Sequence, residues 1–369
     1  MKKSVLFITN IPAPYRIDFF NELGKEVDLT VLFEAKGASD QGIRFNYNLE
    51  TISNFRAVFL SEGNICEKKI NWEIVRFLRK NKFDEIVVTS YSYYTEMIGL
   101  IYLKLHRIPY FMETDGGMIR HESAIKRWYK RFLVSGAKGY FSPSKSSDDY
   151  LAFYGANRGR IYRYPFTSLK KDDILPQLLT AEEKRNYKNQ LGIHESFMIL
   201  GVGQFIHRKG WDVLLRATAK LDREIGVYIV GGEPTEEYLK IQKEYALTNV
   251  HFDGFKTKEE LKKYFMAADL FVLPTREDIW GLVVNEAMAY GVPVVTTDKC
   301  VAGVELVENG VTGQIIPIED SERLKAAIIE NVEHSEKMAA ACLKRMESYT
   351  IEEMAKRHLL YLEEKMQWK

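Results

Sequence analysis

The most informative segment of the sequence runs from Pro274 to Ala289 and reads PTREDIWGLVVNEAMA. An apolar run precedes it and predicts a buried strand over Asp269–Thr275. The loop that follows carries two acids, Glu277 and Asp278, and a helix is expected to begin near Gly281. That helix is almost wholly apolar, which is typical of a helix buried on both sides. Buried strand, short loop and buried helix form the repeating unit of an α/β fold with a parallel sheet.

The same alternation extends through the chain in both directions. Candidate strands in the first half are Ser4–Asn10, Val27–Glu34, Phe55–Ser61, Phe83–Tyr91, Pro109–Asp115 and Gly139–Ser144, with helical patterns at Arg16–Glu26, Asn71–Lys82, Thr95–Arg107 and Ser123–Ala137. After residue 195, strands are expected at Phe197–Gln204, Gly226–Gly231, Val250–Phe255, Asp269–Thr275 and Val292–Thr297. Because the pattern occurs twice, we predict two doubly wound domains.

Chain length supports this division. The 369 residues exceed the size at which one core stops growing. We predict an N-terminal domain over residues 1–167, a C-terminal domain over 168–348, and a final helix over 349–369 that crosses back to the N-terminal domain. The polar stretch Thr167–Asn189 is interpreted as the linker.

Composition favours a cytoplasmic protein. The three cysteines are far apart and form no Cys-x-x-Cys pair, which fits a reducing compartment. The apolar start of the chain is too short for a signal peptide, and no apolar run is long enough to span a membrane. Net charge is +1, but residues 1–168 carry +7 and the remainder −6. This asymmetry is either random or a sign that the basic half faces an anionic partner.

The segment around Gly281 has the properties of an anion site. The first turn of a helix presents unpaired N–H groups and the positive end of the helix dipole. Gly281 allows a ligand to approach the backbone closely, and Glu286 lies where a carboxylate can accept hydrogen bonds from a vicinal diol such as a ribose. The alternative is that Asp278 is a helix cap and Glu286 a solvated helix residue.

A second candidate loop lies at residues 201–212, GVGQFIHRKGWD, between a strand and a helix. It lacks the third glycine of a dinucleotide fingerprint and is not a P-loop. Arg208 and Lys209 stand near the start of the next helix, where two positive charges are unfavourable without an anion. The loop is therefore a candidate phosphate contact, and the alternative is a solvated basic pair.

Taken together, residues 203–210, the Asp278-to-Glu286 segment and residues 287–295 (AMAYGVPVV) resemble the donor domain of family 4 glycosyltransferases. The resemblance covers most of residues 195–318. It implies a GT-B fold, which is α/β with two facing Rossmann-like domains and an interdomain cleft. It also implies a retaining transfer of a sugar from a UDP-, GDP- or ADP-sugar held by the C-terminal domain.

The resemblance assigns roles to individual residues. Glu286 matches the acid that binds the ribose of the nucleotide. Asp278 matches the first acid of the pair, usually Glu, which contacts hydroxyls of the donor sugar. Lys209 matches the lysine that binds the diphosphate, whereas the family's companion arginine falls at Gln204, so Arg208 or Gln204 is expected to take its place. The other implied donor contacts are Gly203, Phe255 beside the base, and the loop residues Ile279, Trp280, Gly281 and Leu282.

Resemblance is weaker in the N-terminal half. Asp115 stands where similar enzymes often place a His beside the reacting carbon. It is a candidate to orient the acceptor hydroxyl or stabilise positive charge, and otherwise a turn residue before two glycines. Arg16 is either a contact to an anionic group of the acceptor or a plain helix-start charge.

The helix over residues 123–137 is amphipathic and basic. Ile125, Trp128, Tyr129, Phe132 and Leu133 share one face, and Lys126, Arg127, Lys130 and Arg131 share another. This pattern fits either a docking surface for anionic lipid or a helix that faces the core with a solvated basic back. Docking favours a lipid-linked acceptor and a peripheral position on the cytoplasmic face of the membrane.

The sequence contains no Asp-x-Asp motif and its histidines lack ligand spacing. We therefore predict no metal, no cofactor and no nucleic-acid partner, with a nucleotide-diphosphate sugar as donor and a glycan or lipid-linked acceptor. Two alternatives stay open: a sugar-nucleotide epimerase of GT-B type, and a catalytically inert nucleotide-sugar binding subunit.

Overall fold

The structure is a computed structural model that describes residues 2–40, 43–46, 48–66, 69–219 and 221–363. It consists of two compact units. The first comprises Met1–Ser168 with Thr350–Lys369, and the second comprises Leu169–Tyr349. Among the described residues, no helix is both long enough and apolar enough to cross a membrane.

The first unit is built on a parallel sheet. Its elements in chain order are β1 (Ser4–Thr9), α1 (Pro14–Leu23), β2 (Asp28–Phe33), β3 (Gly37–Asp40), β4 (Ile43–Asn46), β5 (Arg56–Phe59), α2 (Glu73–Lys80), β6 (Glu85–Val88), α3 (Tyr94–Leu105), β7 (Phe111–Glu113), α4 (Ala124–Val134), β8 (Gly139–Ser142), α5 (Lys145–Phe153) and β9 (Ile161–Arg163). Within the described ranges the sheet has seven strands in the order β5-β2-β1-β6-β7-β8-β9, and β3 and β4 form a separate antiparallel pair.

The second unit repeats this plan. Its elements are α6 (Ala181–Gln190), β10 (Phe197–Val202), α7 (Trp211–Thr218), β11 (Ile225–Val230), α8 (Glu236–Glu244), β12 (Val250–Asp253), α9 (Lys258–Ala267), β13 (Leu270–Leu273), α10 (Leu282–Ala289), β14 (Val294–Thr297), α11 (Val301–Leu306), β15 (Gly313–Ile316) and α12 (Ser321–Met346). In the part of the chain that the structure describes, the sheet has six parallel strands in the order β12-β11-β10-β13-β14-β15.

The central strands are buried throughout because helices cover both sheet faces. β11, β13 and β14 are buried at every position, and they read as continuous apolar runs instead of alternating ones. Strand order reverses at β1/β6 in the first unit and at β10/β13 in the second. Ligands of open α/β sheets bind at the carboxyl ends of the strands beside such reversals.

The segment interpreted as a linker is not simply a connection. Its second half forms α6, whose first turn is stabilised by a capping box between Thr180 and Glu183. Apart from Lys188, the helix has no buried residue, so no apolar stripe indicated it. The Thr-x-x-Glu signature was the available signal.

The last described helix, α13 (Ile351–Glu363), belongs to the first unit, where it packs against α1. Residues 364–369, the end of the predicted C-terminal helix, lie outside the described residues. The helix brings His358 into the interior of the first unit with no exposed side-chain surface.

Candidate functional site

In the second unit, the loops that follow β10 and β13 are tied together through their backbones. The Arg208 carbonyl oxygen accepts hydrogen bonds from the Arg276 N–H at 2.8 Å and the Thr275 hydroxyl at 2.9 Å. Gly210 has a φ of +71°, and a Cβ added there would lie 2.1 Å from the Pro274 carbonyl oxygen. Only glycine allows this approach, and the approach places Lys209 beside the second loop.

Lys209 and Asp278, two residues singled out in the sequence, form an ion pair between these loops. Lys209 Nζ lies 2.7 Å from Asp278 Oδ2, and Arg208 Nη1 lies 3.3 Å from the same oxygen. Only 11% of the Lys209 side chain and 13% of the Asp278 side chain are exposed, whereas Arg208 is 44% exposed. Two cations therefore share one carboxylate at the carboxyl edge of the sheet.

Gly203 gives the Lys209 side chain its space. A Cβ at Gly203 would lie 3.1 Å from Lys209 Cε and 3.4 Å from its Cδ. The carbonyl oxygen of the next residue, Gln204, accepts a hydrogen bond from the Trp211 indole at 3.0 Å. Because Trp211 is fully buried, this hydrogen bond anchors the loop to the interior of the second unit.

Contacts with neighbouring residues fix the position of the start of α10. Gly281 caps the helix with a φ of +100°, and a Cβ there would lie 2.8 Å from Cys300 Sγ. The Trp280 side chain is buried and donates to Asn285 Oδ1 at 2.8 Å, while its carbonyl oxygen accepts from the Ala302 N–H at 2.9 Å. The Val284 amide bonds the Gly281 carbonyl oxygen at 2.9 Å, and the amides that precede it at the start of α10 are held in a defined position.

A second ion pair supports the loop after β13. Arg276 forms a bidentate pair with Asp212 on α7, at 2.8 and 2.9 Å, and also contacts Glu319. Burial by itself would raise the pKa of Asp212, but Arg276 and Arg216 lower it. Nothing in the sequence joins residue 212 to residue 276, so this pair was not predicted.

The remaining predicted donor residues lie on the same elements. Glu286 is on the second turn of α10 and is partly exposed, as is Leu282 on the first turn. Ile279 is 56% exposed in the loop, and Phe255, two residues beyond β12, is 78% exposed. The roles of all these residues stay predictions.

In the first unit, Asp115 belongs to a buried network at the carboxyl end of β7. Arg16 from α1 forms ion pairs with both Glu113 and Asp115, and the Tyr15 hydroxyl donates to Asp115 Oδ2 at 3.1 Å. His358 from α13 bonds the other oxygen of Glu113 at 3.1 Å. Arg16 is 3% exposed and already carries two carboxylate partners. An acceptor contact by Arg16 stays a prediction.

The two acids of this network differ in environment. Burial alone would raise the pKa of Glu113, but Arg16 and His358 outweigh it and lower that pKa to about 2. Burial raises the pKa of Asp115, with Arg16 opposing and Glu113 adding to the shift. Asp115 keeps 33% of its side chain exposed and Tyr15 is also partly exposed, whereas Arg16 and Glu113 are buried.

Helix α4 presents its apolar stripe to solvent. Exposures are 81% for Ile125, 67% for Trp128, 38% for Tyr129 and 42% for Phe132, and only the end of the helix, Leu133 and Val134, is buried. Four of the five predicted stripe residues thus do not face the core. Lys130 pairs with Glu122 at 2.8 Å, and its ammonium lies over the Tyr154 ring. Within the described ranges, no group of three or more His, Cys, Asp or Glu side chains is arranged to hold a metal ion.

Comparison with known proteins agrees with this architecture. The family model for glycosyl transferases group 1 matches residues 183–348. A Klebsiella pneumoniae protein described as an uncharacterized 41.2 kDa protein in the cps region is 35% identical over 264 residues, covering 68% of this chain and 70% of that protein. The amylovoran biosynthesis glycosyltransferase AmsK of Erwinia amylovora is 34% identical over 40% of this chain and 39% of its own length.

Solved structures show the same fold over the whole chain. The Anabaena protein Alr3699/HepE, crystallised in complex with UDP, superposes with a TM-score of 0.77 at 18% identity, covering 97% of this chain and 99% of that one. A glycosyltransferase from Rickettsia africae also gives 0.77, at 15% identity and full coverage of both chains. The predicted GT-B fold is confirmed, and the chain belongs to the family of group 1 glycosyl transferases.

Proposed function

We propose that this chain is a retaining, metal-independent hexosyltransferase acting in polysaccharide or glycoconjugate synthesis. It moves a sugar from a nucleotide-diphosphate donor, with UDP and GDP as the first candidates, to a hydroxyl of a glycan or lipid-linked acceptor. The observation that carries this proposal is the cluster in which Arg208 and Lys209 share the single carboxylate of Asp278, 2.7 Å from Lys209.

The cluster has the charge balance that a diphosphate requires. Asp278 neutralises only one of the two cations, so an anion is favourable beside Lys209. A diphosphate seated there replaces Asp278 as the partner of the buried ammonium. Asp278 is then available to accept hydrogen bonds from hydroxyls of the donor sugar, as its place in the motif implies.

The surrounding elements supply the other donor contacts. Amides of residues 279–282 at the start of α10 bind phosphate oxygens, with the helix dipole adding to the attraction. Glu286, on the next turn, binds the ribose diol. Phe255 is largely exposed and offers an aromatic face to the base. Gln204 replaces the family's arginine with a neutral group, and Arg208 supplies the second charge.

The relatives suggest where to begin with substrates. AmsK is named for amylovoran biosynthesis, and a Salmonella typhimurium relative, 34% identical over 36% of this chain, for putative colanic acid biosynthesis. HepE was crystallised with UDP and with UDP-glucose. These names favour a UDP-sugar donor and a polysaccharide product for this chain.

A panel of UDP-, GDP- and ADP-sugars, incubated with the protein and analysed by NMR, tests this proposal. We expect slow release of one nucleoside diphosphate without acceptor, and with acceptor a product that keeps the anomeric configuration of the donor. An isomerised sugar nucleotide identifies an epimerase instead, and binding without turnover identifies an inert subunit. Either result contradicts the proposal.

We further propose that α4 docks the protein on the cytoplasmic face of an anionic membrane. Its exposed Trp128 and Phe132 stack on each other, with ring centroids 6.3 Å apart, and the same helix carries the exposed cationic residues Lys126 and Arg131. Aromatic rings beside basic residues are the composition of an interfacial helix. Such a position gives access to a lipid-linked acceptor.

Charge reversal of α4 tests this docking. Because Lys130 is held by Glu122, we choose the exposed pair Lys126→Glu and Arg131→Glu. Each basic residue contributes roughly 1 kcal/mol near an anionic surface, so the double variant should lose most binding to phosphatidylglycerol vesicles in a sedimentation assay. The control is Lys240→Glu with Lys243→Glu on α8, which makes the same change of charge. Equal loss in both variants, or in neither, contradicts a docking role for α4.

A further inference from the structure

The Arg276 guanidinium in the second unit is fully hydrogen-bonded to protein oxygens. Nε donates to Glu319 Oε1, and Nη2 donates to Glu319 Oε2 at 3.0 Å and to Asp212 Oδ2 at 2.9 Å. Nη1 donates to Asp212 Oδ1 at 2.8 Å and to the His207 carbonyl oxygen at 2.6 Å. These five contacts use all five N–H groups of a guanidinium. Arg276 therefore keeps no donor for a phosphate of a ligand.

The partners of Arg276 lie on different segments around the candidate donor site. His207 belongs to the loop after β10, Asp212 to the first turn of α7, and Glu319 to the connection between β15 and α12. Arg276 itself lies in the loop after β13. One side chain thus joins four segments at the carboxyl edge of the sheet.

Arg276 binds the two carbonyl groups that precede Lys209. Its side chain donates to the His207 oxygen, and its backbone N–H donates to the Arg208 oxygen at 2.8 Å. Asp278 follows two residues later in the same loop as Arg276. The contacts of Arg276 therefore lie directly between the backbone that carries Lys209 and the backbone that carries Asp278.

Glu319 adopts an unfavourable backbone conformation where it contacts Arg276. Its φ is +61°, in the left-handed region that a glutamate rarely adopts. A strained residue persists where its surroundings fix it, and the two hydrogen bonds from Arg276 do so here. Hydrogen bonding to Arg276 also lowers the pKa of Glu319, against an opposing effect of burial. The carboxylate thus stays ionised and anchors the guanidinium from the side of β15.

We propose that Arg276 is a positioning residue of the donor site, which sets the approach of the two loops and so places Lys209 for the diphosphate and Asp278 for the donor sugar. An arginine is required, because a lysine ammonium carries three donors on one atom and cannot form two bidentate pairs. This inference rests on the proposed function, since the placement matters for transfer only if the site binds a nucleotide-sugar.

Nucleotide binding tests this role. Arg276→Lys should raise the Kd of UDP, or of whichever of UDP, GDP and ADP binds best, about tenfold, because the phosphate contacts lose their alignment. In the transfer assay the donor KM should rise by a similar factor, and the acceptor KM should stay unchanged. The control is Arg216→Lys, since Arg216 binds the same Asp212 carboxylate at 2.9 Å as an i,i+4 pair on α7. A wild-type Kd in Arg276→Lys, or an equal rise in the control, refutes the role.

A second measurement needs no ligand. A double-mutant cycle of Lys209→Met and Asp278→Asn, followed by urea unfolding, gives the coupling between these two residues. If Arg276 places them, the coupling should fall by about half or more when the cycle is repeated in Arg276→Lys, because their separation is no longer fixed. It should persist in Arg216→Lys. Equal coupling in all three backgrounds overturns the inference.

The inference and the proposed function fail in different ways. If the wild-type protein binds no nucleotide, the proposed function is wrong, and the mutant cycle alone decides whether Arg276 places the pair. If Arg276→Lys does not fold, Glu319→Gly takes its place in both measurements, because glycine removes the carboxylate and relieves the left-handed strain together. A folded Glu319→Gly protein with the wild-type Kd and the wild-type coupling then overturns the inference.

Discussion

Two buried glutamates of the first unit show how strongly the surroundings of a carboxyl group change its pKa. Glu113 is bound by Arg16 and His358, and its pKa is lowered to about 2. Glu96, in the first turn of α3, is 1% exposed. Burial raises its pKa to about 8 and the nearby Glu34 adds to the shift, while hydrogen bonds from Ser90, Tyr93 and Ser92 oppose it. Glu96 is therefore protonated at neutral pH.

This difference predicts how stability depends on pH. Because the pKa of Glu96 is higher in the folded chain than in the unfolded one, folding binds a proton between pH 4.5 and 8. The free energy of unfolding should fall as the pH rises through this window, and Glu96→Gln should remove that dependence. At pH 8.5 the variant should be more stable by on the order of 2–4 kcal/mol.

Urea unfolding at several pH values measures this effect, with the exposed Glu336→Gln on α12 as the control. If the free energy of unfolding depends on pH in the same way in wild type and in Glu96→Gln, the result contradicts a protonated Glu96. The contribution of Glu113 to stability depends on pH in the opposite direction. It stabilises the fold above pH 4.5, and its contribution is lost as the pH falls toward 2.

At the scale of the element, the candidate donor site depends on two loops whose backbones approach each other at a glycine. Gly210 combines a φ of +71° with a would-be Cβ 2.1 Å from a carbonyl oxygen of the partner loop. Gly192 has a nearly identical φ of +70° but nothing within 4 Å of its would-be Cβ. Substitutions at these two glycines of the second unit therefore distinguish the cost of backbone strain from the cost of a steric collision.

We expect Gly192→Ala to cost about 1 kcal/mol, the ordinary cost of a left-handed alanine. Gly210→Ala pushes the loops apart as well and should cost roughly 3 kcal/mol or more. Because the displaced loop carries Lys209, only Gly210→Ala should also weaken nucleotide binding. Thermal unfolding and nucleotide titration of both variants check this, and equal effects would show that the loop contact is unimportant.

Across the whole molecule, the sequence predicted the central strands and the edge strands β5 and β12, but not the edge strands β9 and β15. Buried strands such as β11 and β13 are continuous apolar runs, whereas β9 reads IYR and β15 begins with Gly and Gln, so neither edge strand forms such a run. Helix α6 was missed because it is polar. The direction of α4 was undecidable, since an amphipathic pattern is the same whether its apolar side faces a core or a membrane.

The residues of the candidate sites also fall into those that the sequence predicted and those that it did not. Lys209 and Asp278 were found because each lies in a motif with fixed local spacing. The network of Arg16, Glu113 and His358 was not, because residues 16, 113 and 358 are brought together only by the sheet and the returning helix α13. Glu113 and His358 are chemically ordinary residues in the sequence, and nothing local marks them.

The central claim is that the ammonium of Lys209 binds the diphosphate of the donor. Its matched control is Lys188, which forms a similarly buried pair with Asp269 at 2.6 Å, at the amino end of the same sheet. Removing either lysine disrupts one buried ion pair in the second unit, but only Lys209 lies at the candidate site.

The measurement is calorimetric titration of UDP, or of whichever of UDP, GDP and ADP binds best, into wild type, Lys209→Ala and Lys188→Ala. We predict that Lys209→Ala raises the Kd roughly ten- to hundredfold, because a charged hydrogen bond is lost and Asp278 is left to repel the phosphates. Lys188→Ala should keep the wild-type Kd. An unchanged Kd in Lys209→Ala, or an equal rise in both variants, would contradict the claim.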